Sequence, residues 1–489
     1  MEAERQHYDV VIVGAGICGL NALFAASRYV KKGGRIALVE RRERAGGMWN
    51  DTYDYVRLHQ PHSMFTVGDL KWQWDKDPTY LAAKPEVLGH MQYCLDTLKQ
   101  RVQVDEYFRC SYLSHEEAGG VVRTTLERDG QQVVLASGRL VKAFGFNVET
   151  NAPLPLSSIR VHSVSPDFCD VRTGEIAASD TPVWVVGGGK TAMDTVHTLV
   201  TSHPGREVNL LAGSGSWFVR RDEVYHPSRG WFAGTRVNEW AERIAMRYDG
   251  TNEAAVWDSE LGRTMTKVTP TASNCIFGII SDSEVDTIER GLTRTVTDHL
   301  ADAVDTSDGV DLVLRSGDRI AVPTGAWIIN CTGYLLKDDS PYEPFCSPSG
   351  RVLSINQRSD AVLFTHMAGY LLTHLLMRDK LSKVPLLEMD WYDIRQRAGS
   401  GTILAMWTVL LHNFTVLFTA LPPNVFVRNG LDGDRWYPLL RQQAGAAAFL
   451  RRRRRQQAHY RRTLEAVRER YGVRCGPLDH TVAEREPAP

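Results

Sequence analysis

The chain has 489 residues, 43% hydrophobic and 24% charged, with 57 basic against 58 acidic residues and a net charge of −1. That length can bury two cores and still carry insertions, and the even charge excludes a global attraction to nucleic acid. The eight cysteines never form CxxC and the fifteen histidines never form an HxxxH pair, so no disulfide scaffold, redox-active dithiol or metal centre is expected. The polar opening residues run straight into a strand and leave no room for a signal or transit peptide, so a reduced, cytoplasmic setting is the default.

In chain order, the apolar run 10–13 enters Gly14-Ala15-Gly16-Ile17-Cys18-Gly19, followed by a small-residue helix at 20–27, a second strand at 35–39 and an acid, Glu40. This is the dinucleotide fingerprint in its required context. Gly14 permits the tight turn, Gly16 lets a pyrophosphate approach backbone N–H groups, Gly19 lets helix and strand pack closely, and Glu40 accepts from the adenosine ribose. A few residues on, Gly46-Gly47 brings backbone close to a flat ligand, with Trp49 as an aromatic face beside it.

The signal occurs twice. A strand at 182–186 enters Gly187-Gly188-Gly189-Lys190-Thr191 and a helix to about residue 202, so two Rossmann-type units and two dinucleotides are expected. The next strand, 208–211, ends in Ala212-Gly213-Ser214-Gly215 with no carboxylate to hold a ribose 2′-hydroxyl. Ser214, Arg220 and Arg221 offer donors for a 2′-phosphate, which favours NADPH over NADH. Trp217, Trp231, Trp240 and Trp257 read as core or surface anchors or as the walls of a substrate channel. Further strands are expected at 350–355 and 361–365, then an apolar helix at 369–377.

Beyond residue 400 the uncharged run 404–421 carries Thr408, His412, Thr415 and Thr419 on one helical face, which favours burial against protein over interfacial or spanning contact with a membrane. The five arginines at 451–455 read as a solvated terminal helix, with peripheral contact to an anionic membrane left open.

Arg44-Ala45-Gly46-Gly47-Met48-Trp49 after the ribose acid resembles the Gly-Gly-x-Trp signature of the flavin-containing monooxygenases and their Baeyer–Villiger relatives. Val141-Lys142-Ala143-Phe144-Gly145-Phe146 and Ile328-Ile329-Asn330-Cys331-Thr332-Gly333-Tyr334 are similar to that family's two crossing segments, so the likeness covers roughly residues 8–375. It implies FAD at the first turn, NADPH at the second, and cofactor contacts from Gly14, Gly16, Gly19, Glu40, Gly47, Trp49, Gly187, Gly189, Lys190, Thr191, Ser214, Arg220, Arg221 and Gly333. It also implies an α/β fold in which an FAD domain (1–175 and 316–398) carries an inserted NADPH domain (176–315), followed by a helical extension with a basic tail (399–489).

The implied activity is NADPH-dependent formation of a C4a-hydroperoxyflavin that oxygenates a small organic substrate. His59 stands at the family's asparagine position, as in the auxin-forming plant branch, and His59 or Gln60 would donate a hydrogen bond near flavin N5 and the distal oxygens; the alternative is that they satisfy backbone groups in the Gln60-Pro61 turn. Two departures, Phe144 in place of the first crossing threonine and a Baeyer–Villiger fingerprint reduced to Gly145 and His162, favour nitrogen or sulfur oxygenation over Baeyer–Villiger or carbon chemistry. The alternative class is a flavoprotein oxidase, reductase or cofactor-binding protein without productive oxygen transfer, towards which Phe144 leans.

Overall fold

The computed structural model describes residues 7–146, 148–334, 341–427, 429–478 and 480. Strand Val10–Val13 lies at the centre of a five-stranded parallel sheet ordered Val352–Asn356, Leu140–Gly145, Val10–Val13, Arg35–Glu40, Gln103–Phe108. All four of its residues are buried, as expected for a parallel strand covered on both faces. The pleat sends Val10 and Ile12 to the helical side and Val11 and Val13 to an antiparallel layer built on Ser111–Ala118, Val121–Arg128 and Gln131–Ser137. Helix Ile17–Ala26 packs along Thr365–Met377 so tightly that a Cβ on Gly369 would fall 2.2 Å from the Cys18 carbonyl oxygen.

The same plan recurs in the second half, which gives the expected pair of Rossmann-type units. Strand Val183–Val186 is central in a parallel sheet ordered Arg294–Val296, Val208–Leu211, Val183–Val186, Trp327–Asn330, His162–Val164. Val183 and Val185 meet Ala192, Met193 and Val196 of helix Lys190–Ser202, whereas Trp184 and Val186 meet the antiparallel strands Leu300–Asp305, Val310–Leu314 and Arg319–Val322.

Three expectations need correction. The second unit's strands reach from 162 to 330 rather than lying within 176–315, because the three-residue strand His162–Val164 and the strand Trp327–Asn330 pair in its sheet. Residues 361–364 form no strand. Asp360 exchanges both backbone hydrogen bonds with Met389 and its carboxylate accepts the Val362 N–H at 2.9 Å, which turns the chain and starts the helix at Thr365 instead of 369. Trp217, Trp240 and Trp257 are core residues and Trp231 is 45% exposed, and none of the four lines the main cavity, so they wall no channel there.

All but the last residue of the run 404–421 falls in helix Gly401–Ala420, the one helix among the described residues long and apolar enough to cross a membrane. Every residue from Gly401 to Asn413 is buried, packed by helices Leu439–Tyr471 and Val237–Arg247 and by strand Asn274–Ile280. Its polar groups are mostly satisfied within protein: Asn413 donates to the carbonyls of Ala361 and Leu387, both at 2.7 Å, and the Thr408, Thr415 and Thr419 hydroxyls donate to carbonyls of their own helix. The five arginines lie on helix Leu439–Tyr471, where Arg452 grips the Glu242 carboxylate with two bonds of 2.7 Å.

Candidate active site

The first glycine turn is built by contact. A Cβ on Gly19 would lie 1.7 Å from the Gly14 carbonyl oxygen, so only glycine lets the helix start this close to the turn. Gly16 faces Gly47, and a Cβ on either would fall 3.4 Å or 2.9 Å from the other's Cα, so the Gly-Gly pair after the ribose acid is packed directly on the fingerprint. Glu40 is 4% exposed; its Oε2 accepts the Ala15 N–H at 2.9 Å and its Oε1 the Arg42 N–H at 3.0 Å. Oε1 also takes the Arg42 guanidinium at 3.4 Å, whereas Oε2 keeps a lone pair for a ribose hydroxyl, and the N–H groups of the helix start lie close by, so the residues present fit a dinucleotide.

The second turn opens on a cavity of about 760 Å³, within the range of small-molecule sites. It brings together Gly187, Gly189, Lys190, Thr191 and Ser214 from the second unit, Gly333 from its last crossing, and Trp49, His59 and Gln60 from the first, with Phe65 and Phe146 adding apolar wall. Gly14, Gly16, Gly19, Glu40 and Gly47 lie outside it at the first turn, joined to it through Met48 and Trp49. Phe144 faces the other way, edge-on to Tyr112 with ring centres 5.6 Å apart, so that departure from the family pattern does not touch the cavity.

Arg220 and Arg221 do not line the cavity, and their guanidiniums are engaged with protein groups. Arg220 spends its guanidinium on the Asp282 carboxylate, at 2.9 and 2.6 Å, and on the carbonyls of Gly262 and Arg263. Arg221 pairs with Glu284 and donates to the His59 carbonyl at 3.2 Å. Arg220 is thus turned to Asp282, and Arg221 sits behind the His59 loop. Burial works against the Glu284 charge, yet Lys190 and Arg221 hold its carboxyl down to about 2. Lys190 also pairs with Asp194, which accepts the Tyr53 hydroxyl at 2.9 Å, while Tyr55 and Thr195 share a hydrogen bond of 2.8 Å.

Beside Lys190 and Arg221, burial and then those two charges push His59 down to about 3, so it stands as a neutral imidazole able to donate one N–H. Gln60 Oε1 is buried with no partner among the described residues, so the Gln60 carboxamide has an unmet need for a donor.

Two groups on the cavity wall escape a reading of the sequence. His299 and Arg315 arrive from beyond the second sheet's edge strand, linked by an Arg315 N–H to His299 carbonyl bond of 2.9 Å, and the His299 ring lies against Gly213. Arg395 and Asn274 approach the Ser214 side, and Arg395 comes from helix Trp391–Ala398 of the C-terminal part. Spacing along the chain carries no sign of either, since they meet the turn only through tertiary packing.

Residues 8–221 match the pyridine nucleotide-disulphide oxidoreductase family. An uncharacterized protein of Mycobacterium tuberculosis is 24% identical over 355 residues, 69% of this chain and 61% of that protein. The chain therefore spans under two thirds of that relative's length. The FAD-containing monooxygenase EthA of Mycolicibacterium smegmatis is 27% identical over 146 residues, 29% of this chain and 28% of EthA. Among solved structures, oxidized steroid monooxygenase bound to NADP superposes with a TM-score of 0.51 at 15% identity, covering 91% of this chain and 98% of that one. The chain has the fold of the flavoprotein monooxygenases. The resemblance drawn from the Gly-Gly-x-Trp and crossing segments is borne out.

Proposed function

We propose that the chain is an NADPH-dependent FAD monooxygenase that oxygenates nitrogen or sulfur in a small organic molecule. The observation that carries this reading is the single cavity running from the second glycine turn to Trp49, His59, Gln60 and Phe146 next to the first. A nicotinamide held by Gly187, Gly189 and Thr191 would extend along that cavity towards a flavin ring beside Trp49. When bound, FAD supplies two-electron uptake from the coenzyme and activation of O₂. In balance, substrate, O₂, NADPH and a proton give oxygenated substrate, NADP⁺ and water.

The chain's own residues then have separable duties. Gly14 and Gly16 would leave the first turn's backbone N–H groups open to the FAD pyrophosphate, Gly19 packs the helix onto that turn, Gly47 backs Gly16, and Glu40 would hold the adenosine ribose. Trp49, Phe65 and Phe146 exclude water from the reacting end. His59, kept neutral by burial, donates one preorganised hydrogen bond near the oxygen-reactive edge, and Gln60 carries the second polar head. Lys190, fixed between Asp194 and Glu284, sets the potential at the mouth of the turn and joins Thr191 in holding the coenzyme.

The test is a product balance on purified, FAD-loaded protein given NADPH, O₂ and a thioether or tertiary amine. Sulfoxide or N-oxide matching the NADPH consumed supports the reading. NADPH consumption returned entirely as hydrogen peroxide with every probe identifies an oxidase instead.

A further inference from the structure

Arg395 is 8% exposed, yet it forms no ion pair among the described residues. Among the described residues its one hydrogen bond runs from Nη1 to the Asn274 side-chain oxygen at 3.1 Å, and its Nε is buried without a partner. A guanidinium taken out of water without a carboxylate is costly unless an anion completes it. Arg395 faces the cavity, so that anion is a ligand's.

The neighbours say which anion. Asn274 is fixed in orientation, its Oδ1 accepting from Arg395 and its Nδ2 donating to Ser214 Oγ at 2.6 Å. With its oxygen already accepting, the Ser214 hydroxyl has its proton free to donate into the cavity. Ser214 lies just beyond strand Val208–Leu211, where a Rossmann unit meets the 2′ position of the adenosine ribose and where this chain has no carboxylate. Arg315, the other cation at this end, is exposed and shares its charge with solvent.

We infer that Arg395, positioned through Asn274 and joined by Ser214, is the anchor for the coenzyme's 2′-phosphate, supplied by the C-terminal segment rather than by the second Rossmann unit itself. This inference rests on the NADPH reading above. Burial lowers the guanidinium's pKa, as expected for a charge awaiting its counter-ion. A charge-assisted contact of this kind discriminates NADPH from NADH by the phosphate alone.

The experiment compares adenosine 2′,5′-bisphosphate with 5′-AMP, which differ only in the 2′-phosphate, by calorimetric binding to FAD-loaded full-length protein. The parent should prefer the bisphosphate, and Arg395→Gln should lose at least about tenfold in its affinity while 5′-AMP binding stays within about twofold. A melting curve adds a readout independent of turnover. Without ligand, Arg395→Gln should melt no lower than the parent, because a buried uncompensated charge has gone, and the bisphosphate should no longer raise its melting temperature. Ser214→Ala, a smaller change, should weaken the bisphosphate alone by about threefold or more, and it carries the test if Arg395→Gln does not accumulate. If the parent prefers the bisphosphate and neither variant alters that preference, Arg395 is not the anchor. If the parent itself shows no preference, the NADPH reading falls with it.

Discussion

Arg221 donates through Nη1 to the carbonyl oxygen of His59 at 3.2 Å while its Nη2 side holds Glu284. A residue that sequence reading assigns to a coenzyme phosphate instead ties down the loop that carries the candidate hydrogen-bond donor. Because Glu284 also lies 3.8 Å from Lys190, the same network reaches the second glycine turn, so the donor's placement and the coenzyme's mouth share one set of charges.

Changing Arg220 and Arg221 together to Ala should therefore alter the Michaelis constants for NADPH and NADH by the same factor. Removing one partner of the half-buried Arg221–Glu284 pair should also cost about 1–3 kcal/mol of stability. Steady-state kinetics with both coenzymes and urea unfolding read the two effects; a selective loss of NADPH would return the phosphate to these arginines.

Gly16→Ala should fold and lose FAD. The added methyl would rest 3.4 Å from Gly47 Cα, a tight contact the turn can absorb, but it stands where the pyrophosphate must approach. Circular dichroism unchanged from the parent with the flavin absorbance gone is the expected pair of results, and full FAD occupancy contradicts the assignment.

His59→Ala should leave NADPH-driven flavin reduction nearly intact and divert turnover to hydrogen peroxide. Losing one preorganised donor in an oxyanion-type site costs on the order of 2.7–4 kcal/mol, so a tenfold or greater rise in uncoupling is reasonable even for a weaker contact. His59→Asn should recover part of the coupling. Since burial, with Lys190 and Arg221, holds His59 at about 3, the parent's coupling should owe no titration to this residue between about pH 6 and 9. Unchanged coupling in His59→Ala would make Gln60 the next candidate.

His412 gives a pH-dependent stability test. It is fully buried, neither ring nitrogen has a partner among the described residues, and burial followed by the Arg461 charge lowers it to about 4. Its folded pKa lies below the unfolded value, so the unfolded chain binds the extra proton and stability falls as pH drops through the interval between them. His412→Leu should remove that loss, gaining on the order of 2 kcal/mol relative to the parent at about pH 5 compared with pH 7.5. Asp360 and Asp434, raised to about 7 chiefly by burial, push the other way in both proteins and cancel in the difference. Parallel pH profiles for variant and parent would refute the account.

The two glycine turns, their central strands and the buried character of 404–421 were legible in the sequence because local spacing and burial carry the information. Gly19 is a case in point: the contact that demands glycine is with Gly14, five residues away. The residues proposed for the phosphate end were not legible. Arg221 is close to the turn in sequence, but it sits behind the His59 loop, whereas Arg395 is distant along the chain and arrives by the packing of the C-terminal helices. The limits of the second unit were missed for a related reason, since His162–Val164 is too short for an alternating pattern to register.

The tyrosines at 53 and 55 have one more implication. Their hydroxyls reach across from the first unit to Asp194 and Thr195 on the second unit's leading helix, and both rings are almost wholly enclosed. Swinging the halves apart would break both hydrogen bonds and expose two buried rings to water, so this pair of tyrosines works as a clasp that resists opening of the cleft.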